Sequence, residues 1–95
     1  MKVYISGKIT GDANYKQKFR NAENILLSAG FEVLNPAEQE DTGKSWTWYM
    51  RKDIAGLMEC DAIFLLKDWE DSRGARLEYY IAQQVEMKIF REVEQ

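Results

Sequence analysis

The run Ala62-Ile63-Phe64-Leu65-Leu66 is uninterrupted apolar sequence between the charged residues Asp61 and Lys67, and it decides the fold. A strand that is apolar at every position buries both of its faces, which is typical of a parallel sheet covered by helices on both sides. The polar stretch 67–74 that follows is predicted to be a loop, and residues 75 to about 85 a helix.

Three more strands and two more helices are predicted on either side of this run. Apolar residues recur at helical spacing before Gly30, and Ser45 is a good N-cap for a second helix. Residues 38–44 are polar and are predicted to form a loop. The predicted strands are 3–6, 31–34 and 87–90, and the helices are 14–28 and 46 to about 59.

The resulting order β-α-β-α-β-α-β predicts one α/β domain over residues 1–95. We expect a small Rossmann-like or flavodoxin-like parallel sheet of about four strands, in the order 2-1-3-4, with helices on both faces. Ligands of such sheets bind beyond the carboxyl ends of the strands, where the strand order reverses. Three segments meet at that edge: residues 6–11, those from 35 onward, and 67–74.

Composition narrows the possible functions. The 95 residues carry a net charge of −3 without a basic stripe, which argues against binding to a nucleic-acid polymer. There is no histidine, so serine or cysteine chemistry activated by histidine is excluded, and a metal site is not predicted. The single cysteine, Cys60, is predicted to be a buried structural thiol. From the start Met1-Lys2-Val3-Tyr4 and the lack of a long apolar run, we expect neither a signal peptide nor a membrane span, and a cytoplasmic protein. Its 13% aromatic content predicts a homo-oligomer, most simply a dimer.

The first candidate site is Tyr4-Ile5-Ser6-Gly7-Lys8-Ile9-Thr10-Gly11, directly after the first strand. Glycines allow close approach to the backbone, and free N–H groups in such a turn can cradle an anion. The segment lacks the Gly-Lys-Ser/Thr ending of a P-loop. A plain turn between strand and helix remains the alternative.

The second candidate site is the loop that enters the third helix. Ser72 and Gly74 lie near the helix N-terminus, where backbone N–H groups attract anions, and Glu78 follows about one turn later. The alternatives are a solvated glutamate on the helix face and a simple N-cap at Asp71 or Ser72. Arg76 could bind a phosphate or pair with Glu78 and quench it.

The third candidate site lies on the second helix. Asp53 occupies mid-helix, where aspartate has poor propensity, although a solvated face would also explain it. Trp46 and Trp48 could stack on a nucleobase or take part in packing.

Taken together, the three segments resemble the nucleoside 2-deoxyribosyltransferase superfamily, from Tyr4 to about Phe90. The chain looks most like the compact phage and bacterial members catalogued as a domain of unknown function, which are related to 2′-deoxynucleoside 5′-monophosphate N-glycosidases. The matching motifs are Tyr4-x-x-Gly7-x-Ile9-x-Gly11, Asp53 and Ser72-x-Gly74-x-x-x-Glu78.

The resemblance implies a role for each motif. Glu78 would be the nucleophile that Tyr4 orients, and Asp53 would protonate or position the departing base. Ser72 favours a nucleotide over a nucleoside, because a serine donates to a phosphate where an aspartate would repel it. The implied substrate-binding residues are Ser6, Gly7, Lys8, Ile9, Thr10, Gly11, Trp69, Ser72, Gly74 and Arg76.

The resemblance therefore predicts a nucleotide N-glycosidase or a deoxyribosyltransferase that acts through a covalent Glu78 intermediate and needs no cofactor. Two alternatives remain. One is a non-catalytic module that binds or sequesters a nucleotide, and the other is an interaction domain that has lost the ligand. A pure binder would need no nucleophile, so the pair of Glu78 and Asp53 separates the enzyme from the non-catalytic binding module.

Overall fold

Four parallel strands form one sheet at the centre of the chain. The structure, a computed structural model, describes residues 1–39 and 42–93. The strand order is β2-β1-β3-β4, which confirms the predicted order 2-1-3-4. Tyr4 of β1 is in register with Leu34 of β2 on one side and with Ile63 of β3 on the other. The strands are β1 (Lys2–Ser6), β2 (Glu32–Leu34), β3 (Ala62–Leu65) and β4 (Lys88–Arg91).

Three α-helices connect the strands, and their bounds correct the predicted ones in places. They are α1 (Tyr15–Ser28), α2 (Trp46–Leu57) and α3 (Arg73–Gln84). Helix α3 begins two residues earlier than predicted, because the Ser72 hydroxyl oxygen accepts the N–H of Ala75 and caps the helix.

Two short 3₁₀ turns, Pro36–Glu38 and Trp69–Asp71, were not predicted. The first ends where the predicted loop 38–44 begins, and the second lies inside the predicted loop 67–74. The Asn35 side chain caps the first turn by accepting the N–H of Ala37. Residues 40 and 41 of the predicted loop 38–44 lie outside the described part of the chain.

The two faces of the sheet bury different clusters. On one face, Val3 and Ile5 of β1 pack against Phe19, Ala22 and Leu26 of α1. On the other face, a second cluster combines residues of β1, β3, α2 and α3 with Cys60, which is buried. Its members are Tyr4, Leu57, Cys60, Ile63, Leu65 and Ala82. Helices therefore cover both faces, and the apolar run that begins at Ala62 is buried throughout, as predicted.

The end of β1 is shaped by a close approach of backbone to core. A Cβ atom added at Gly7 would lie 2.6 Å from the Cδ1 atom of Leu66. Only glycine fits there without moving the core, so the chain leaves the sheet close against β3.

None of the helices in the described ranges is long and apolar enough to cross a membrane.

Candidate active site

Glu78 is a buried carboxylate held on both oxygens. It lies on α3 facing β1 and is 5% exposed, so it is not a solvated residue of the helix face. The Tyr4 hydroxyl donates to Oε2 at 2.5 Å, and the Ser6 hydroxyl donates to Oε1 at 2.7 Å. Strand alternation places both donors on the same face of β1. Within the described residues, no cation forms a salt bridge with Glu78.

The surroundings of Glu78 raise its pKa to about 7. Burial is the main cause, and the negative charge of Asp53 adds to it, whereas the hydrogen bonds from Tyr4 and Ser6 act in the opposite direction. Burial, followed by the charge of Glu78, raises the pKa of Tyr4 well above its ordinary value. Tyr4 therefore keeps its proton near neutral pH and stays a hydrogen-bond donor.

Asp53 is a second carboxylate in the same cavity. It lies on α2, is partly buried, and accepts a hydrogen bond of 2.7 Å from the side-chain amide of Gln39. Burial raises its pKa, and the hydrogen bond from Gln39 counteracts part of that rise. Two carboxylates with raised pKa values facing one cavity are suited to acid–base and nucleophilic chemistry.

A cavity of about 820 Å³ opens above these groups, at the carboxyl edge of the sheet. This volume lies within the range of small-molecule sites. Its walls are formed by α2 as far as Asp53, the first half of α3, the start of α1 and the segments that follow β1 and β2. Eight of the residues predicted for the site line it: Tyr4, Gly7, Ile9, Thr10, Asp53, Ser72, Gly74 and Glu78.

Five predicted substrate-binding residues do not line this cavity. Ser6 is 1% exposed and binds Glu78 instead. The backbone N–H of Lys8 donates to Asp68, and Gly11 lies exposed in the following turn. Trp69 packs on Tyr79, with 4.6 Å between ring centroids. Arg76 is exposed and donates to the backbone oxygen of Glu70, so it neither reaches the cavity nor pairs with Glu78.

Arg73 and Gln39, which the sequence prediction omitted, also line the cavity. The Arg73 guanidinium lies 3.8 Å from the ring centroid of Trp46, which was a candidate for stacking on a nucleobase and is part of the wall. Trp48, by contrast, is 41% exposed and is not part of it. The place of Arg73 between Ser72 and Gly74 was the available signal. Nothing in the sequence pattern pointed to Gln39, because its position depends on the 3₁₀ turn before it.

A second charged cluster, here called the lysine clamp, lies at the same edge of the sheet. Lys18 on α1 forms salt bridges with Asp12 and Asp68. Asp68 also accepts the backbone N–H of Lys8 at 3.0 Å. The clamp therefore ties the segment after β1 to the segment after β3. Residues 1–39 and 42–93 contain no group of three or more cysteine, aspartate or glutamate side chains placed to hold a metal ion.

Two solved structures are similar to this chain over most of its length. A 2-deoxyribosyltransferase from the psychrotolerant bacterium Bacillus psychrosaccharolyticus has a TM-score of 0.75 and 18% identity, covering 100% of this chain and 77% of that one. A 2-deoxyribosyltransferase from Leishmania mexicana has a TM-score of 0.73 and 18% identity, covering 95% of this chain and 62% of that one. At this identity, the likeness shows a shared fold.

Comparison of the sequence with known protein families assigns the chain to one family. No curated protein matches the chain. One family model matches residues 1–91, which is nearly the whole chain and includes β1, Asp53 and the loop that enters α3. The α/β fold and the order of the four strands agree with the two deoxyribosyltransferase structures. The chain belongs to the family described as Domain of unknown function (DUF4406), within the deoxyribosyltransferase-like fold.

Proposed function

We propose that this protein cleaves or exchanges the N-glycosidic bond of a nucleoside 5′-monophosphate, with Glu78 as the nucleophile. The observation that carries the proposal is the buried Glu78 carboxylate, gripped by two hydroxyls at a cavity that also contains Asp53. A buried carboxylate without a cation costs stability, so its presence at a cavity favours a chemical role. The fold shared with 2-deoxyribosyltransferases supports the same reaction class.

The first half of the proposed reaction transfers the sugar to Glu78. A carboxylate oxygen attacks the anomeric carbon, the bond from carbon to base nitrogen breaks, and the electron pair leaves with the base. Asp53, when protonated, gives its proton to the departing nitrogen. Its pKa is raised, mainly by burial, and this favours the protonated form that can donate.

The second half releases the sugar. Water, or the nitrogen of another base, attacks the anomeric carbon and the bond to Glu78 breaks, with the electron pair returning to the carboxylate. The ionised Asp53 accepts the proton that the attacking group loses. Asp53 thereby regains the proton that it gave to the first base, Glu78 is again an ionised carboxylate, and both groups return to their starting states.

The N-terminus of α3 supports a nucleotide substrate. Ser72 and Gly74 line the cavity at the first turn of this twelve-residue helix, where N–H groups and the helix dipole favour a negative charge. Arg73 adds a cation to the same wall. We propose that this end of the cavity takes the 5′-phosphate. A charge-assisted hydrogen bond is worth about 1.5–3 kcal/mol, so binding should favour the nucleotide over its nucleoside about tenfold or more.

The test is incubation with a panel of deoxynucleoside monophosphates and the matching nucleosides, with free base followed by chromatography. The proposal expects base release from at least one nucleotide, and no release by Glu78→Gln, which keeps the volume of the side chain. Tight binding without base release would favour the alternative of a nucleotide-binding or sequestering module. Full activity of Glu78→Gln would remove the residue from the mechanism. The homodimer and the cytoplasmic location stay predictions.

A further inference from the structure

Ser6 is a buried residue of β1 whose hydroxyl donates a hydrogen bond to Glu78. It is 1% exposed, is not part of the cavity wall, and donates to Oε1 of Glu78 at 2.7 Å. Tyr4, two residues earlier on the same face of β1, holds the other oxygen. The orientation of the carboxylate is therefore set from both sides, and the bond from Ser6 acts on the atom that Tyr4 does not reach.

The bond from Ser6 favours the ionised carboxylate over any neutral form of it. A hydroxyl donates more strongly to a charged oxygen than to the carbonyl oxygen of an ester, and burial increases the difference. The covalent sugar–Glu78 ester is neutral, whereas the carboxylate that leaves it is charged. Stabilising that departing charge lowers the barrier for breaking the ester, in the way that donors aimed at a developing charge do elsewhere.

We infer that Ser6 is a positioning residue that shortens the lifetime of the sugar–Glu78 ester and thereby directs the reaction to hydrolysis rather than base exchange. This inference rests on the proposed function. Water is small and can enter as soon as the first base departs, whereas a second base must diffuse in and orient. A short-lived ester therefore reacts mainly with water. The expected overall reaction is a nucleotide plus water giving free base and sugar phosphate.

The experiment compares wild type with Ser6→Ala by rapid quench, intact-protein mass and product analysis, with and without an added free base as acceptor. Loss of a charge-assisted hydrogen bond should slow ester breakdown about 10- to 100-fold. The sugar adduct should then accumulate in Ser6→Ala, and a larger share of product should be exchanged nucleotide. Ser6→Cys, which keeps a weak donor, should lie between the two. Ser28→Ala, which removes an exposed hydroxyl at the end of α1, is the matched control.

A second readout does not depend on activity. Carbon-13 NMR titration of the Glu78 carboxyl in the unliganded protein should show a higher pKa in Ser6→Ala than in wild type, and this also shows whether the variant is folded. The inference is overturned if the wild type releases base while Ser6→Ala has the same adduct lifetime and exchange ratio. An unchanged Glu78 pKa in folded Ser6→Ala overturns it as well. Absence of base release by the wild type from every substrate is instead the failure of the proposed function, and the inference falls with it.

Discussion

The two acidic clusters at the carboxyl edge of the sheet differ in what holds their charges. In the lysine clamp, Lys18 lies between Asp12 and Asp68, and its hydrogen bond is the main cause that lowers the pKa of Asp12. Glu78 is buried, and its partners among the described residues are the neutral hydroxyls of Tyr4 and Ser6, so burial raises its pKa to about 7. A carboxylate paired with a cation has its charge neutralised and serves the structure. A carboxylate held by neutral hydroxyls has no such partner, and in its ionised form it is available as a nucleophile.

The largest expected effect comes from Asp53, the second uncompensated carboxylate of the cavity. Asp53→Asn removes the proposed proton donor, and such groups contribute about 10²- to 10⁴-fold, so base release should fall by that factor. A nucleotide whose purine is methylated at N7 carries a base that leaves without a proton, and its cleavage should be largely restored. Rates with ordinary and N7-methylated substrates measure this. Glu59→Gln, at an exposed position after α2, is the control. An equal loss on both substrates would contradict the assignment.

The next effect concerns stability and tests whether Glu78 is truly uncompensated. Its pKa in the folded protein is raised from 4.5 to about 7, so the folded state binds the proton more tightly than the unfolded state. The stability from this group is present below 4.5 and is lost as the pH rises through about 7. At about 1.4 kcal/mol per pH unit, Glu78→Gln should be more stable than wild type by about 3 kcal/mol at pH 8, and by little at pH 5.

Urea denaturation at the two pH values measures this difference. Glu32→Gln, which removes an exposed carboxylate from β2, controls for the loss of one negative charge. Destabilisation of Glu78→Gln at pH 8 would contradict the expected cost, because the carboxylate would then be held as firmly as one that is paired with a cation.

The smallest effect belongs to the lysine clamp itself. Lys18→Met leaves Asp12 and Asp68 close together without their cation. Partly exposed pairs contribute about 1 kcal/mol or less, and salt screens them, so the free energy of unfolding should fall by that amount, and by less at 1 M salt. Urea denaturation at low and high salt checks this, with the exposed Lys16→Met as the matched control. A loss of several kcal/mol would mean that Asp12 and Asp68 are as costly without a cation as the buried Glu78 carboxylate, which would contradict the contrast between the two clusters.

The architecture could be predicted because its signals are local. The apolar run from Ala62 and the alternation of strand and helix patterns indicated the parallel sheet, and Gly7 indicated the turn after β1. The sequence pattern predicts helix α3 from residue 75, whereas the cap that the Ser72 side chain provides starts the helix at Arg73. Boundaries depend on such single hydrogen bonds, whereas the order of elements depends on many residues at once.

The site was less predictable from spacing. Arg76 and Glu78 are two positions apart on one helix, and nothing in the pattern distinguishes the exposed one from the buried one until α3 is packed on β1. Trp69 belongs to the segment that carries the motif, yet its ring meets Tyr79 instead of the cavity. Arg73 lines the cavity because α3 begins at this residue, and Gln39 lines it because it directly follows the 3₁₀ turn Pro36–Glu38.

Hydrophobic periodicity and glycine positions act over short range, so the sequence was enough to predict the class of fold, the strand order and the edge of the sheet where chemistry can occur. The resemblance implied that Tyr4 orients Glu78, but the folded structure was needed to show that Tyr4 and Ser6 each donate to a different oxygen of Glu78, across 74 and 72 residues of sequence. The burial of that carboxylate, and the pKa that follows from it, arise when α3 excludes water from the face of β1. No local pattern encodes the distance between groups so far apart in the chain.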